Sequence, residues 1–328
     1  MFIYMIMCHK NAKQVMRLAK RLKTDESDVM IHADSEMPDC RLLFDFADKN
    51  GIYYTKKRIH GQLNTRSLVD IPMIMIDEIE EIQRREGKIY LYYALLSGQD
   101  YPIKPIHEIN QELRRAYPIP LIDCTPYHES NWISKKFLIN KKMVQQWTKI
   151  VNMPAGTKRK LYRLLYYAIH FFDHYYMIRK RKTTKDLLDG IDLYGGSEWW
   201  VLPNKTISFI SREYHSNLPH VKAILDESLT PDETFFQIET MRSEQKNLVV
   251  INPIDQREQN CKTWAYFSDE NKPFMGHPYI ITEDEYDKIA NTECWFARKF
   301  DETESSIVLD MIDKRILDCH DSCIAGKA

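Results

Sequence analysis

The chain has 328 residues, of which 44% are hydrophobic and 28% charged, and a formal net charge of −1. This composition allows one large α/β domain or two small ones and argues against a disordered chain. The seven scattered cysteines indicate no disulfide framework, and no apolar run reaches the roughly 18 residues that span a membrane.

The predicted elements of the first half alternate between strands and helices. The strands are short apolar runs, at residues 2–8, 29–33, 52–55, 89–96 and 119–123. The helices have apolar residues at helical spacing, at residues 15–22, 68–85 and 106–116. Such alternation predicts an α/β fold with a mostly parallel central sheet flanked by helices.

Polar residues follow the predicted strands, at the edge where sheets of this kind bind ligands. They are His9, Lys10, His32, Asp34, Ser97, Asp100 and Asp123. The chain has neither a GxGxxG motif nor a P-loop, which disfavours a dinucleotide-binding fold.

The second half begins with a block of basic residues. Between Ser134 and Gly190 there are 14 Lys and Arg against 3 Asp and Glu, whereas the rest of the chain is acidic overall. Residues 158–182 of this block predict a basic, aromatic helix. The block predicts contact with an anionic partner, which could be a phosphorylated ligand, a membrane surface or nucleic acid.

Several shorter elements are predicted after the block. They are an aromatic strand after Gly195 and Gly196, a helix at 206–214, a helix with Thr230 as its N-cap, a strand at 248–251 and a helix that opens with the capping box Thr282–Glu285.

Asp232 and Glu233 lie at the predicted start of the helix that follows Thr230. An inverting sugar transfer needs a carboxylate that removes the proton from the acceptor hydroxyl, and a helix start would hold Glu233 in a fixed place. Acids in the first turn of a helix commonly only stabilise its end, and the sequence pattern alone favours that simpler interpretation.

A departing nucleotide diphosphate needs positive charge, from a metal or from fixed cations. The sequence contains no convincing DxD metal motif, and Arg298 and Lys299 are candidates for the cations. The same two residues could instead cap a helix C-terminus. His32 and Asp34 are candidates for nucleotide contacts or for a structural pair at a strand end.

Three residues are candidates for contacts with a sugar. Asp100 could accept a hydroxyl hydrogen bond or cap the following helix. Of Trp199 and Trp200, which would alternate on a strand, one could stack on a sugar, although core packing is the ordinary role of a tryptophan. The tail residues Cys319, His320 and Cys323 are too weak a pattern to predict a metal site.

The chain resembles the core-2/I-branching N-acetylglucosaminyltransferase family, glycosyltransferase family 14, which includes the peptide O-xylosyltransferases. The segments that carry the resemblance occur in the order of the family. They are residues 4–10, 31–34, 95–104, 196–201, 230–236 and 296–301.

The resemblance implies a GT-A-like fold and a UDP-sugar donor without a divalent metal or other cofactor. The general base of the family falls on Glu233, and the lysine that neutralises the diphosphate falls on Lys299. A further family arginine is missing near residues 276–279, where Arg298 or His277 could replace it. We also expect His9, His32 and Asp34 at the nucleotide and Asp100, Trp199, Trp200 and Asp232 at the sugars.

The acceptor-binding segment of the family is poorly matched, but its region contains a few polar and aromatic residues that could serve. They are Glu129, Trp132, Lys135 and Lys136.

We therefore predict an inverting transferase that moves GlcNAc or xylose from a UDP-sugar to a glycan hydroxyl, forming a β linkage. A glycoside hydrolase and a non-catalytic glycan-binding protein remain alternatives. The expected organisation is one catalytic domain at residues 1–316, with a helical insertion at about 134–190 and a tail at 317–328.

We expect the protein in the cytoplasm, with no nucleic acid partner. Residues 158–182 predict either a helix packed on the domain or one that docks on an anionic membrane. In the second case the protein would lie peripherally at the inner membrane face, where a lipid-linked glycan could be its acceptor.

Overall fold

The computed structural model describes residues 1–138, 146, 149–150, 153–154, 156–175, 184–188, 190–252, 260–267 and 277–325. Its strands are β1 (Phe2–Cys8), β2 (Ser27–Ala33), β3 (Tyr53–Tyr54), β4 (Tyr92–Ser97), β5 (Asp100–Pro102), β6 (Leu121–Ile122), β7 (Thr125–Pro126), β8 (Tyr194–Gly195), β9 (Trp200–Pro203), β10 (Thr263–Ala265) and β11 (Phe296–Arg298). Its helices are α1 (Ala12–Leu22), α2 (Cys40–Lys49), α3 (Ser67–Glu86), α4 (Ile106–Ala116), α5 (Asn131–Leu138), α6 (Thr157–Tyr175), α7 (Thr184–Leu187), α8 (Asn204–His215), α9 (Pro219–Glu227), α10 (Phe235–Arg242), α11 (Tyr286–Ala290) and α12 (Ser306–Ala325).

A central sheet runs through the described part of the chain, with its six strands in the order β3-β2-β1-β4-β9-β6. Strand β1 is parallel to β2 and to β4, and β2 is parallel to β3. Strand β9 is antiparallel to both of its neighbours. The prediction of an α/β fold with a mostly parallel sheet flanked by helices is therefore confirmed.

Strand β1 shows why the sheet is covered on both faces. Phe2, Tyr4 and Ile6 belong to a core that includes residues of α1 and α12, whereas Ile3 and Met5 belong to a core that includes residues of α3 and α10. Successive side chains of a strand point to opposite faces, so both faces of β1 are buried. This burial accounts for its continuous apolar sequence.

A smaller sheet brings the C-terminal part of the chain to the end of β4. Strand β5 pairs antiparallel with β11, and the register places Arg298 opposite Asp100. The turn before β5 passes close to the main sheet, because a Cβ on Gly98 would lie 2.7 Å from the Cβ of Cys8. Sequence periodicity could not reveal this pairing, because β5 and β11 are only three residues long and lie far apart in the chain.

Some predicted elements differ from the structure. The predicted strand at 248–251 is wrong, because residues 246–248 form a 3-10 turn and the apolar residues Leu248, Val250 and Ile251 are exposed. Helix α2 was not predicted, since only Leu43 and Ala47 of it are buried and its apolar pattern is weak.

Two boundaries at the end of the chain can also be compared with the prediction. Helix α12 continues past residue 316 to Ala325, so the predicted start of a tail does not coincide with the end of an element. The capping box between Thr282 and Glu285 is confirmed, with both of its reciprocal contacts present.

The basic block is described in part. Helix α6 confirms the predicted helix for Thr157–Tyr175, and the rest of that prediction, residues 176–182, lies outside the described residues. No described helix combines the length and hydropathy that are needed to cross a bilayer.

Candidate active site

Asp100 and Arg298 lie next to each other at the carboxyl end of β4. The Oδ1 atom of Asp100 is 3.5 Å from Nε of Arg298, and Oδ2 accepts a 2.8 Å hydrogen bond from the backbone N–H of Ser97. Asp100 is fully buried, and burial raises the pKa of its carboxyl to about 6, although the charge of Arg298 opposes that rise. The Nε atom of Arg298 is itself buried, and no hydrogen bond within the described residues satisfies it.

Trp199 contacts Arg298 on its other side. The guanidinium carbon lies 4.2 Å from the centroid of the Trp199 ring, a close cation–π distance. One face of this ring is therefore covered by a cation, although we predicted it as a stacking surface for a sugar. Trp200 is placed in the core, with no exposed surface and its ring 4.9 Å from that of Phe236, so its predicted contact with substrate is not formed.

Further cations surround Arg298. Burial, and then the charge of Arg298, lower the pKa of the Lys299 ammonium, which also interacts with Lys10. The Nζ atom of Lys10 is 4.0 Å from Oδ2 of Asp301. His9 lies at the same edge, where partial loss of solvation and then the charge of Lys10 lower the pKa of its ring. This concentration of positive charge suits an anionic ligand.

Glu233 ends the short turn Pro231–Glu233, and the charge of Asp232 in this turn acts on Glu198, as do those of Arg298 and Lys299. The Glu233 carboxylate forms an ion pair with the ammonium of Lys136, a residue of α5. The Lys136 side chain is 5% exposed and that of Glu233 is 30% exposed, so the lysine supports the carboxylate from the protein side. Lys136 also donates a 2.8 Å hydrogen bond to Oγ1 of Thr230.

The surroundings of Lys136 set its protonation. Burial lowers the pKa of its ammonium to about 8, and the nearby charges of Asp232 and Glu198 oppose that effect. Lys136 lies in the region that we predicted to bind the acceptor, and the structure brings it to Glu233. Lys135 is exposed on the same helix.

The predicted start of a helix at Thr230 is wrong. Residues Pro231–Glu233 form a 3-10 turn and α10 begins at Phe235, so Asp232 and Glu233 precede the helix. The Thr230 hydroxyl does not cap this turn, and its described hydrogen bond is the one that it accepts from Lys136.

The backbone of Glu233 is fixed by Gly196, the second of two consecutive glycines. The N–H of Gly196 donates a 3.0 Å hydrogen bond to the carbonyl of Glu233. A Cβ on Gly196 would lie 1.8 Å from the backbone oxygen of Asp123, and one on Gly195 would lie 2.8 Å from Cδ1 of Ile133. Because Gly196 meets backbone atoms, only glycine fits at that position, whereas the contact at Gly195 is with the end of a side chain.

Glu198 belongs to the same site, although we predicted no role for it. Its pKa is raised to about 7, mainly by burial and then by the charge of Asp232. The charges of Arg298 and Lys299 oppose this rise, so Glu198 lies near both the cations and Asp232. The sequence could have indicated this role, because Glu198 is the acid of the Gly196–Val201 segment and follows two glycines.

His32 and Asp34 hold a neighbouring loop. The His32 ring is 1% exposed, with Nδ1 3.0 Å from Oγ1 of Thr55 and Nε2 3.3 Å from the carbonyl oxygen of Ile59. Both of its nitrogens are thus used within the protein, which matches the structural alternative for this residue.

Asp34 has several partners in the same loop. It accepts hydrogen bonds from the backbone N–H groups of Glu36 and Gly61, at 2.8 and 2.7 Å. The ring of His60 contacts it at 3.0 Å. These hydrogen bonds lower the pKa of the Asp34 carboxyl, although partial burial opposes them. The Asp34 carboxylate is therefore engaged by this loop, as in the structural alternative for this residue.

Glu129 is partly exposed in the turn Tyr127–Glu129, and its Oε1 is 3.7 Å from Nε2 of His128. Its predicted role at the acceptor stays a prediction, because nothing in the described contacts joins it to Glu233. The side chain of Trp132 lies outside the described residues.

One group of potential metal ligands occurs in the described residues, formed by Glu213, His220 and Glu239. The guanidinium of Arg242 lies among them, with Nη1 at 3.1 Å from Glu213, 2.6 Å from His220 and 2.5 Å from Glu239. A metal ion would have to displace this cation, so the group is better described as a buried ion-pair network. The side chains of Cys319, His320 and Cys323 lie outside the described residues.

No protein-family model matches this sequence, and no curated protein is similar to it. Among solved structures, a protein assigned as a glucose-1-phosphate thymidylyltransferase from Bacillus anthracis is 9% identical, with a TM-score of 0.33 over 76% of this chain and 86% of that chain. The 4-diphosphocytidyl-2C-methyl-D-erythritol synthase from Anaerococcus prevotii is also 9% identical, with a TM-score of 0.28 over 66% and 76%. Similarities this weak carry no argument about activity.

Proposed function

We propose that this chain is an inverting glycosyltransferase with a GT-A-like fold, which transfers a sugar from a UDP-sugar to the hydroxyl of a glycan. The observation that carries the proposal is the composition of the site. Glu233, a carboxylate supported by a buried lysine, directly follows Asp232, and Asp232 acts on the same buried carboxyl, Glu198, as the cations Arg298 and Lys299.

The proposed reaction uses these two parts together. Glu233 removes the proton from the acceptor hydroxyl while the acceptor oxygen attacks the anomeric carbon of the donor. The bond between this carbon and the diphosphate oxygen breaks, and UDP leaves with the electron pair. Attack from the side opposite the diphosphate inverts the anomeric centre, so an α-linked donor yields a β-linked product. GlcNAc and xylose are the proposed sugars, on the basis of the family resemblance.

The cations are proposed to stabilise the leaving diphosphate in place of a metal. Charges that are fixed before the reaction stabilise the developing charge without reorganisation. Arg298 is held in place by Asp100 and Trp199. It is the better candidate to replace the missing family arginine, because His277 is exposed. Activity is therefore expected to survive EDTA, whereas its loss and recovery with Mn²⁺ would contradict this part of the proposal.

A screen of UDP-sugars for thermal stabilisation tests donor binding, because a ligand that binds the folded state raises its apparent stability. Transfer of a labelled sugar to candidate glycans then tests the activity. Glu233→Gln should keep the stabilisation by UDP and lose about 10²-fold or more in transfer.

The same experiments distinguish the alternatives. A glycoside hydrolase would release sugar from a glycan without any nucleotide, through two suitably spaced carboxyls. A glycan-binding protein would show no turnover with any donor. Transfer by Glu233→Gln at the normal rate would remove this residue from the mechanism.

A further inference from the structure

Helix α6 differs from the other long helices in its exposure to solvent. Helix α3, for example, buries Val69, Met73 and Ile76 against the sheet. In α6, each residue from Thr157 to Ile169 is exposed, except two that are partly buried. The exposed large apolar residues are Leu161, Tyr162, Leu164, Leu165, Tyr167 and Ile169. The alternative of a helix packed on the domain with its aromatic residues in the core is therefore wrong for residues 157–169.

The apolar face of α6 points away from the protein. Leu161, Leu164 and Leu165 share one face at helical spacing and are 53%, 68% and 47% exposed. The two partly buried residues, Arg159 and Tyr166, lie on the opposite face. The Nη1 atom of Arg159 donates a hydrogen bond to the carbonyl oxygen of Met153, with 3.5 Å between the nitrogen and the oxygen. The orientation is the reverse of that of an ordinary surface helix, whose apolar side faces the core.

The charge of α6 indicates what covers this face. Its described side chains include four cations and no acid; the cations are Lys158, Arg159, Lys160 and Arg163. A second copy of the same helix would bring like charges together, which opposes self-association through this face. A cationic helix with an exposed apolar face suits an anionic bilayer, because cations near lipid headgroups and buried apolar side chains both favour binding.

We propose that α6 docks this protein on anionic membranes, with the leucine face inserted at the boundary between headgroups and acyl chains. The helix lies in the interface, since no described helix can cross a bilayer. If the proposed transfer is also correct, docking would bring the enzyme to acceptors carried on lipids. Vesicle binding can be measured without turnover, so failure of one proposal leaves the other intact.

Co-sedimentation with vesicles of phosphatidylcholine, with and without phosphatidylglycerol, tests the proposal. The wild-type protein should pellet with the anionic vesicles at low salt and be released at high salt. The double variant Leu161→Glu, Leu164→Glu should lose more than about tenfold in vesicle affinity, because two apolar side chains no longer insert. Lys158→Gln with Lys160→Gln should weaken binding to anionic vesicles only.

Ile89→Glu is the matched control, since Ile89 is 68% exposed outside α6 and undergoes the same chemical change. It should bind vesicles like the wild type, and all variants should show the wild-type melting curve. Absence of wild-type binding to anionic vesicles would overturn the proposal. Normal vesicle binding by the leucine variant would also overturn it. So would a leucine variant that loses only a dimer, as measured by light scattering, and keeps its vesicle binding.

Discussion

The ammonium of Lys136 forms an ion pair with the carboxylate of Glu233, which lies far away in the sequence. The same lysine donates a hydrogen bond to Thr230, which is 94 residues further along the chain. The lysine is buried and the carboxylate is partly exposed. The ion pair therefore holds Glu233 from the protein side and leaves part of its side chain accessible to solvent.

Lys136→Arg should extend sugar transfer to higher pH. Burial lowers the pKa of Lys136, so the wild-type lysine loses its proton, and with it the ion pair with Glu233, as the pH rises through the alkaline range. Transfer should decline over that range. An arginine stays charged in this range. In a plot of kcat/KM against pH, the decline should therefore shift to higher pH, even if the longer side chain lowers the maximal kcat/KM. Lys135→Arg, on the exposed side of α5, should leave the profile unchanged. An unaltered decline in Lys136→Arg would show that another group is responsible.

Lys299→Ala should weaken the binding of UDP by about tenfold or more, because hydrogen bonds to charged groups are the strong ones. Uridine has no diphosphate, so its affinity should change little. Titration calorimetry with the two ligands measures the difference directly. Lys20→Ala, an exposed lysine of α1, is the control for a change of net charge. Equal losses for UDP and uridine would place Lys299 away from the diphosphate.

Glu198→Gln should bind UDP more tightly than the wild type above pH 7 and equally well below it. The pKa of Glu198 is raised to about 7. Below that pH its carboxyl is neutral, as an amide is, and above it the carboxylate repels the diphosphate near Arg298 and Lys299. The ratio of the two dissociation constants should therefore rise by about threefold or more between pH 6 and pH 8. The titration of UDP itself cancels in this ratio. A ratio that is independent of pH would contradict the assignment.

Gly196→Ala should destabilise the fold by more than about 3 kcal/mol, because its Cβ would overlap the backbone of Asp123. Urea denaturation measures this loss. Gly156→Ala is the matched control, since nothing lies within 4 Å of a Cβ at that position, and its free energy of unfolding should stay close to that of the wild type. A Gly196→Ala variant of normal stability would show that the 196–201 segment can move away from Asp123.

The sequence by itself determined the elements whose signals are local. Continuous apolar runs predict the buried strands β1 and β2, because a parallel sheet covered on both faces needs them. The spacing of Val15, Leu18 and Leu22 predicts α1 in the same way. The capping box of Thr282 and Glu285 also depends on neighbours in the chain, so it could be predicted. The candidates Glu233, Arg298 and Lys299 came from short segments that resemble a family.

Only the tertiary structure decided how the candidate residues combine. The Thr230 hydroxyl was a reasonable N-cap by sequence, but a lysine from α5 uses it instead. The sequence left Trp199 as either a sugar contact or a core residue, and in the structure the guanidinium of Arg298 covers one face of its ring. The sequence also could not show that the apolar face of α6 points to solvent. Periodicity identifies which residues share a face, but not what that face packs against. The contacts of Thr230 and Trp199 join residues that are distant in sequence, and the orientation of α6 depends on what packs against it. The local spacing of residues contains neither kind of information.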